Sequence, residues 1–144
     1  MPVNVHVLIC APIDRVFDAV SDHETFLRTK DGTRTRLLRP GSSERNGLGC
    51  VREVTAGPRV RYVEEITAWE RPVSFEYTIR EASMPMRHMG SRLAFASRGT
   101  GTDVVWTARF EIPVPVVGSP LRLWLEGHLA RAFDEMLAVA KARL

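Results

Sequence analysis

Residues 118–144 read GSPLRLWLEGHLARAFDEMLAVAKARL, and this stretch decides the fold class. Ser119 is suited to be an N-cap, and Pro120 is suited to be the first residue of a helix. Behind them, apolar residues recur at spacings of three and four and form one stripe. The stripe consists of Leu121, Leu125, Leu129, Ala132, Phe133, Met136, Leu137 and Ala140. We therefore predict one long amphipathic helix, about 35 Å in length, that covers a second layer with its apolar face.

The residues before this helix mostly show the period of two that is typical of half-buried strands. A first strand is predicted at 3–10, and two short helices follow it at 12–20 and 22–27. Further strands with short connections are predicted at 33–38, 49–55, 60–69, 73–80, 87–97 and 104–112. Strands joined by short turns pair antiparallel. The predicted fold is α+β, a curved antiparallel sheet of about seven strands with two short helices after strand 1 and the long C-terminal helix across the concave face.

The composition is that of an ordinary protein with one core. The chain has 144 residues, of which 44% are hydrophobic and 26% are charged, and we expect residues 1–144 to form a single domain. The formal net charge of +3 is too small to indicate a nucleic-acid partner. The densest basic group consists of Arg34, Arg36, Arg39, Arg45 and Arg52. We interpret this group as a hydrated face, with a patch that binds anions or a partner protein as the alternative.

The use of cysteine and the absence of long apolar runs predict a cytoplasmic protein with reduced thiols. The start of the chain lacks a basic segment followed by an apolar run, and Cys10 and Cys50 are too few for a disulfide framework. No apolar stretch approaches the ~20 residues that span a bilayer, so we expect no membrane insertion. The sequence leaves homodimerisation open.

Motifs of metal, nucleotide and nucleophilic chemistry are missing from the sequence. His6, His23, His88 and His128 lie far apart and show no spacing of a metal-binding motif. The chain has no nucleophile elbow, no P-loop and no glycine-rich dinucleotide fingerprint. We therefore expect neither a metal ion nor a cofactor.

Two strand segments supply candidate residues for an internal site. Phe75 and Tyr77 share one face of the strand at 73–80, so Tyr77 is predicted to point inward. A buried phenol needs a partner for its hydroxyl, from the protein or from a ligand. Met84 and Met89 bracket the start of the next strand, where flexible thioethers suit a pocket entrance, although gap-filling in the core is the simpler interpretation.

The strand at 60–69 has two interpretations. One phase directs Tyr62 inward together with Glu64, whose buried carboxylate must then titrate upward or pair with an arginine. The opposite phase buries Val63 and Trp69 instead. Alternation alone does not choose between the two phases.

The predicted long helix supplies two further candidates. Trp124 and His128 lie four residues apart, one above the other, and flank the apolar stripe. Both are candidates for the wall of a cavity, where His128 can donate or accept a hydrogen bond near neutral pH. Core packing is the structural alternative for this pair.

The order of the elements and several short segments resemble the START-like superfamily with its helix-grip fold, in particular the polyketide cyclase/dehydrase-like (SRPBCC) members. The segments are 11–22 (APIDRVFDAVSD), 49–52 (GCVR), Glu65-Ile66 with Trp69 and Pro72, 75–77 (FEY), and Gly101-Thr102 with Trp106. The resemblance spans nearly the whole chain. It implies a hydrophobic small molecule, polyketide-, lipid- or aromatic-like, in a cavity between the sheet and the C-terminal helix.

The leading hypothesis is therefore a carrier or binding protein for such a molecule. The candidate ligand-binding residues are Tyr62, Phe75, Tyr77, Met84, Met89, Trp124 and His128. An alternative is an enzyme of the polyketide cyclase/dehydratase type that uses the same cavity, with Tyr77 or His128 moving protons. A further alternative is a protein-interaction module with a filled cavity.

Overall fold

The sheet and one helix follow the predicted order. The computed structural model describes residues 2–22, 34–56, 60–83 and 87–111, together with 131, 137–138 and 141–142. In chain order the elements are β1 (Pro2–Ile9), α1 (Ile13–Ser21), β2 (Arg34–Arg39), β3 (Val51–Ala56), β4 (Val60–Glu70), β5 (Ser74–Ala82), β6 (Arg87–Arg98) and β7 (Gly101–Glu111). Each predicted strand is present close to its predicted bounds, so the α+β class is confirmed.

The strands form one curved antiparallel sheet in the order β1-β7-β6-β5-β4-β3-β2. From β2 to β7, each strand pairs with the next one in the chain. The first strand, β1, lies at the edge of the sheet beside the last strand, β7. The pairing shifts register at several places, and such bulges bend a strand and increase its twist. The shifts fall between Leu37 and Arg39, Val63 and Glu64, Ile66 and Ala68, and His88 and Gly90.

Helix α1 packs on one face of this sheet. It begins at Ile13, directly after an extended Pro12, and ends at Ser21. Val16, Phe17 and Val20 follow helical spacing and are all fully buried. The Phe17 ring makes edge contacts with two rings of the sheet, Phe75 and Phe95, at centroid distances of 5.8 and 5.1 Å. We call the face that packs on α1 the inner face.

Alternation divides the strands between the inner face and the opposite, outer face. On β1, Val5 and Ile9 are buried, whereas His6 and Leu8 are exposed, as the sequence predicts. On β3, β5, β6 and β7, the fully buried apolar residues of the inner face include Val54, Phe75, Leu93 and Val104. The core therefore lies between the inner face and α1.

Both interpretations of the strand at 60–69 are partly right. Glu64 and Ile66 are buried on the inner face, as one phase predicts, but Val63 is buried as well and Trp69 is partly buried. A register shift explains Trp69: Thr67 is an extra residue of β4 between the pairs Ile66–Tyr77 and Ala68–Glu76, so Trp69 returns to the inner face opposite Phe75. Val63 keeps the strand phase of its outer-face partner Glu53 and is buried there.

The described helical residues near the C-terminus fit the predicted amphipathic pattern. Leu137 is fully buried and belongs to the core, whereas Arg131 and Lys141 are exposed. The rest of the predicted long helix, and the short helix predicted at 22–27, lie outside the described residues. None of the helical residues that the structure describes belongs to a helix long and apolar enough to cross a lipid bilayer.

Candidate functional site

A buried ion pair lies on the inner face of the sheet. Arg52 on β3 and Glu64 on β4 are 0% and 1% exposed, and they are direct cross-strand neighbours. Arg52 Nε lies 3.0 Å from Glu64 Oε1. Leu37 on β2 and Ile79 on β5 extend the same cross-strand line on either side of the pair. We call Leu37, Arg52, Glu64 and Ile79 the central row.

The Arg52 guanidinium also reaches the end of α1. Its Nη1 donates a hydrogen bond to the carbonyl oxygen of Ser21, the last residue of the helix, at 2.9 Å. The C-terminal carbonyls of a helix carry partial negative charge and attract a cation. Within the described part of the chain, Nη2 of Arg52 is buried and has no hydrogen-bond partner. Arg52 therefore joins the sheet to α1, and one of its donors has no partner among the described residues.

The sequence-based assignment of Arg52 to a hydrated face is wrong. Arg52 has the same strand phase as Cys50 and Val54, both fully buried, and this phase directs its side chain inward. The expectation that a buried Glu64 finds an arginine is confirmed. The alternation of residues 49–55 indicated that Arg52 points inward. Because arginine is rarely buried, the residue type was given more weight than the strand phase.

Tyr62 lies beside the central row. It faces Val54 across β3 and β4, packs against the core and keeps part of its surface accessible. Burial raises the pKa of Tyr62 well above its ordinary value of 10.0, and the nearby Glu64 carboxylate raises it further. The phenol therefore stays protonated at neutral pH. No hydrogen bond between its hydroxyl and another described residue is observed.

Tyr77 also points inward, but its hydroxyl has protein partners. The side chain is 5% exposed, and Trp106 Nε1 donates a hydrogen bond to Tyr77 Oη at 3.1 Å. Ser91, the cross-strand neighbour of Tyr77, makes a second side-chain hydrogen bond. Desolvation raises the pKa of Tyr77, and the Glu64 carboxylate adds to the rise. Tyr77 is therefore a poor base at neutral pH.

Of the other predicted site residues, one belongs to the core and the rest have side chains outside the described residues. Phe75 is fully buried and packs on the ring of Phe17. Met84, Trp124 and His128 lie outside the described residues. The side chain of Met89 is also outside them, although its backbone belongs to β6. The structure thus brings Tyr62 and Tyr77 to one face and adds Arg52 and Glu64, which the sequence did not select.

The outer face carries paired surface charges. Glu53 lies between Arg36 and Arg61, and Glu65 lies between Arg39 and Arg80. A groove of about 460 Å³ runs beside β2 and is lined by Arg34, Thr35, Arg36, Glu53 and Thr55. The hydrated-face interpretation is therefore confirmed for Arg36 and Arg39, which are exposed and ion-paired. Surface pairs of this kind contribute little to stability.

The described residues contain no group of three or more His, Cys, Asp and Glu side chains that is placed to hold a metal ion. The inner face instead carries the Tyr62 hydroxyl, a donor that suits an organic ligand, beside the partly buried apolar side chains of Leu37 and Ile79.

Comparison with known proteins agrees with this fold. The family model described as polyketide cyclase/dehydrase and lipid transport matches residues 2–144. The solved structure of TTHA0849 from Thermus thermophilus has a TM-score of 0.80 and 22% identity, with 99% of this chain and 96% of that chain covered. A START superfamily protein from Mycobacterium smegmatis has a TM-score of 0.76 and 14% identity, with coverages of 94% and 93%.

A third solved structure, protein Ms6760 from Mycobacterium smegmatis, has a TM-score of 0.70 and 14% identity, with 99% of this chain and 90% of that chain covered. At these identities the structural similarity shows the fold alone. A search of curated protein sequences gave no significant match.

Proposed function

Because this chain belongs to the START-like family of polyketide cyclase/dehydrase and lipid transport proteins, we propose that it is a binding protein or carrier for a hydrophobic small molecule. The molecule is polyketide-, lipid- or aromatic-like. It lies between the inner face of the sheet and the C-terminal segment. Burial of its apolar surface supplies most of the affinity, at about 25 cal/mol per Å² before ordering costs.

The observation that carries this proposal is the accessible surface of three inner-face side chains. Leu37, Tyr62 and Ile79 pack against the core but remain partly exposed, whereas Val54 between them is fully buried. Tyr62 also lies deep enough for desolvation to raise its pKa. Side chains that are deep in the molecule and still accessible are typical of the wall of an internal space.

Two adjacent residues of β2 test where a hydrophobic molecule binds. Leu37 belongs to the inner face, whereas Leu38 is 44% exposed. We expect Leu37→Gln to weaken binding of the apolar dye Nile red about 5- to 30-fold, because lost apolar contact and a buried amide together cost about 1–2 kcal/mol. The matched variant Leu38→Gln leaves the affinity unchanged. Fluorescence titration measures both, and equal effects, or no binding by the wild type, would refute the proposal.

A second experiment identifies the natural ligand. Native mass spectrometry of the purified protein is expected to show a bound small molecule in addition to the chain. Denaturation releases this molecule for mass determination. A carrier is expected to release the molecule unchanged after repeated cycles of binding.

An enzyme of the cyclase or dehydratase type is the second candidate function. The observation that favours it is the Arg52–Glu64 pair beside Tyr62, because polar groups that converge on an apolar space can orient and polarise a substrate. The test is to incubate the protein with a short poly-β-keto ester and follow loss of water by mass spectrometry. Glu64→Gln, which keeps the shape of the side chain, abolishes the turnover if the pair takes part.

A further inference from the structure

We propose that the Tyr62 hydroxyl is the polar anchor of the site and donates a hydrogen bond to a neutral carbonyl oxygen of the bound molecule. The inference rests on the proposed function, since the molecule must first occupy the space beside the inner face. It narrows the ligand from any hydrophobic molecule to one that carries a ketone, ester or similar carbonyl group.

The two tyrosines of the chain differ in how their hydroxyls are used. Tyr77 Oη accepts from Trp106 Nε1 and is bonded to Ser91, so the protein itself satisfies this group. The Tyr62 hydroxyl has no such bond within the described residues, although the ring packs against the core. A deep phenol hydroxyl normally has a partner. The partly exposed surface of Tyr62 allows a ligand to supply that partner.

The charges around Tyr62 favour a neutral acceptor over an anion. Arg52 and Glu64 form a pair without net charge. At the Tyr62 hydroxyl, the Glu64 carboxylate raises the pKa more than the Arg52 guanidinium lowers it, and burial raises it most. A second carboxylate at this position is therefore repelled and poorly solvated. A carbonyl oxygen accepts the phenolic hydrogen without adding charge.

Arg52 of the central row also makes this part of the inner face polar. Nη2 of Arg52 is buried without a hydrogen-bond partner in the part of the chain that the structure describes. Its side chain is fixed by Glu64 and by the Ser21 carbonyl oxygen. Arg52 is thus a positioning residue, which holds Glu64 and the local field around Tyr62.

Three compounds of similar shape test the inference: 2-acetylnaphthalene, 2-ethylnaphthalene and 2-naphthoate. Their affinities for the wild type, Tyr62→Phe and Tyr77→Phe are measured by displacement of Nile red. In Tyr62→Phe, we expect the ratio of ketone to hydrocarbon affinity to fall about 2- to 12-fold, the range for one neutral hydrogen bond. In Tyr77→Phe the ratio stays at the wild-type value, because that hydroxyl is bonded within the protein. The naphthoate binds more weakly than the ketone to the wild type.

Each other outcome overturns the inference. An unchanged ratio in Tyr62→Phe, or the same fall in Tyr77→Phe, removes Tyr62 as the anchor. Tighter binding of 2-naphthoate than of the ketone identifies an anion site instead. Failure of the ketone to displace Nile red also refutes the inference while the proposed function stands. Failure of Nile red itself to bind refutes the proposed function.

Discussion

Arg52 stabilises the packing of the sheet on α1 and lies next to the proposed site. Its guanidinium is stabilised by the Glu64 carboxylate and by the Ser21 carbonyl oxygen at the end of α1. Each charge is costly to bury alone, and the pair offsets this cost only while both members are present. The arrangement therefore fixes the position of β3 against β4 and of both strands against α1.

Removal of one member of the pair is predicted to be worse than removal of both. Arg52→Met leaves Glu64 buried without its partner, so we expect the free energy of unfolding to fall by about 3–5 kcal/mol. The double variant Arg52→Met with Glu64→Leu is expected to lie within about 1–2 kcal/mol of the wild type. Urea denaturation measures both. Arg36→Met, which breaks an exposed pair with Glu53, is the control and costs less than about 1 kcal/mol.

The hydrogen bonds of Tyr77 give a second prediction. Tyr77→Phe leaves the indole N–H of Trp106 buried without its acceptor, so we expect a loss of about 1–2 kcal/mol in the free energy of unfolding. Tyr62→Phe removes no bond within the described residues and is expected to change stability by less than about 0.5 kcal/mol. The urea denaturation midpoints of the two variants, each compared with the wild type, measure these two changes in stability. Equal losses would show that Tyr62 also has a structural bond.

Alternation predicted which strand faces are buried, but it did not predict the charged pair. Val5 and Ile9 on β1 follow the rule, because hydrophobic side chains of a period-two strand have one buried face. Arg52 breaks the expectation that arginine lies in water. Its burial depends on Glu64, which is distant in sequence and opposite only after β3 and β4 pair. A pairing of this kind is not visible in local sequence patterns.

At the scale of elements, Arg71 connects three parts of the chain. It lies in the turn between β4 and β5 and forms ion pairs with Asp18 of α1 and Glu44 of the loop between β2 and β3. Its guanidinium lies over the rings of Phe17 and Trp69, at 5.0 and 5.6 Å from their centroids. Cation–π contacts and shared carboxylates favour one arrangement of the three elements.

The Glu44 carboxylate makes this contact sensitive to pH. Hydrogen bonds from Arg71 and from Trp69 Nε1 lower the pKa of Glu44 below its ordinary value of 4.5. Its stabilising effect is therefore complete above about pH 4.5, where the unfolded chain is also ionised, and disappears as the pH falls through the lowered pKa of the folded state. The side chain is more than one-third exposed, so the effect is modest.

Glu44→Gln tests the pH dependence directly. Near pH 7 we expect the variant to be less stable than the wild type by up to about 1 kcal/mol. The difference should shrink below pH 4.5 and vanish at lower pH, because the wild-type carboxylate then becomes neutral as well. Thermal unfolding by circular dichroism at several pH values gives the comparison. A difference that is constant from pH 7 to pH 3 would contradict the ionic origin.

Bulges limit what the sequence predicts about elements. The bounds of β4 follow from the sequence, but its side-chain phase does not, since the extra residue Thr67 shifts the alternation between Ile66 and Trp69. A bulge depends on how two strands pair and has no obligatory local residue. Of the amphipathic pattern predicted at the C-terminus, the described residues test only a part, in which the buried Leu137 agrees with the predicted apolar stripe.

For the whole molecule, the curved sheet separates two surfaces with different chemistry. On the outer face, Glu53 and Glu65 each pair with two exposed arginines, which favours hydration. The inner face holds Leu37, Tyr62 and Ile79 partly exposed around a charged pair without net charge. This division explains why the inner face, and not the basic outer face, is the proposed site for a hydrophobic molecule.

The central claim is that a hydrophobic molecule binds against the inner face. The most direct measurement is methyl NMR of protein with labelled Leu, Ile and Val side chains and bound 2-acetylnaphthalene. We predict intermolecular nuclear Overhauser effects to the methyl groups of Leu37 and Ile79. Effects confined to the exposed methyl groups of Leu8, Leu38 and Val105 would contradict the claim.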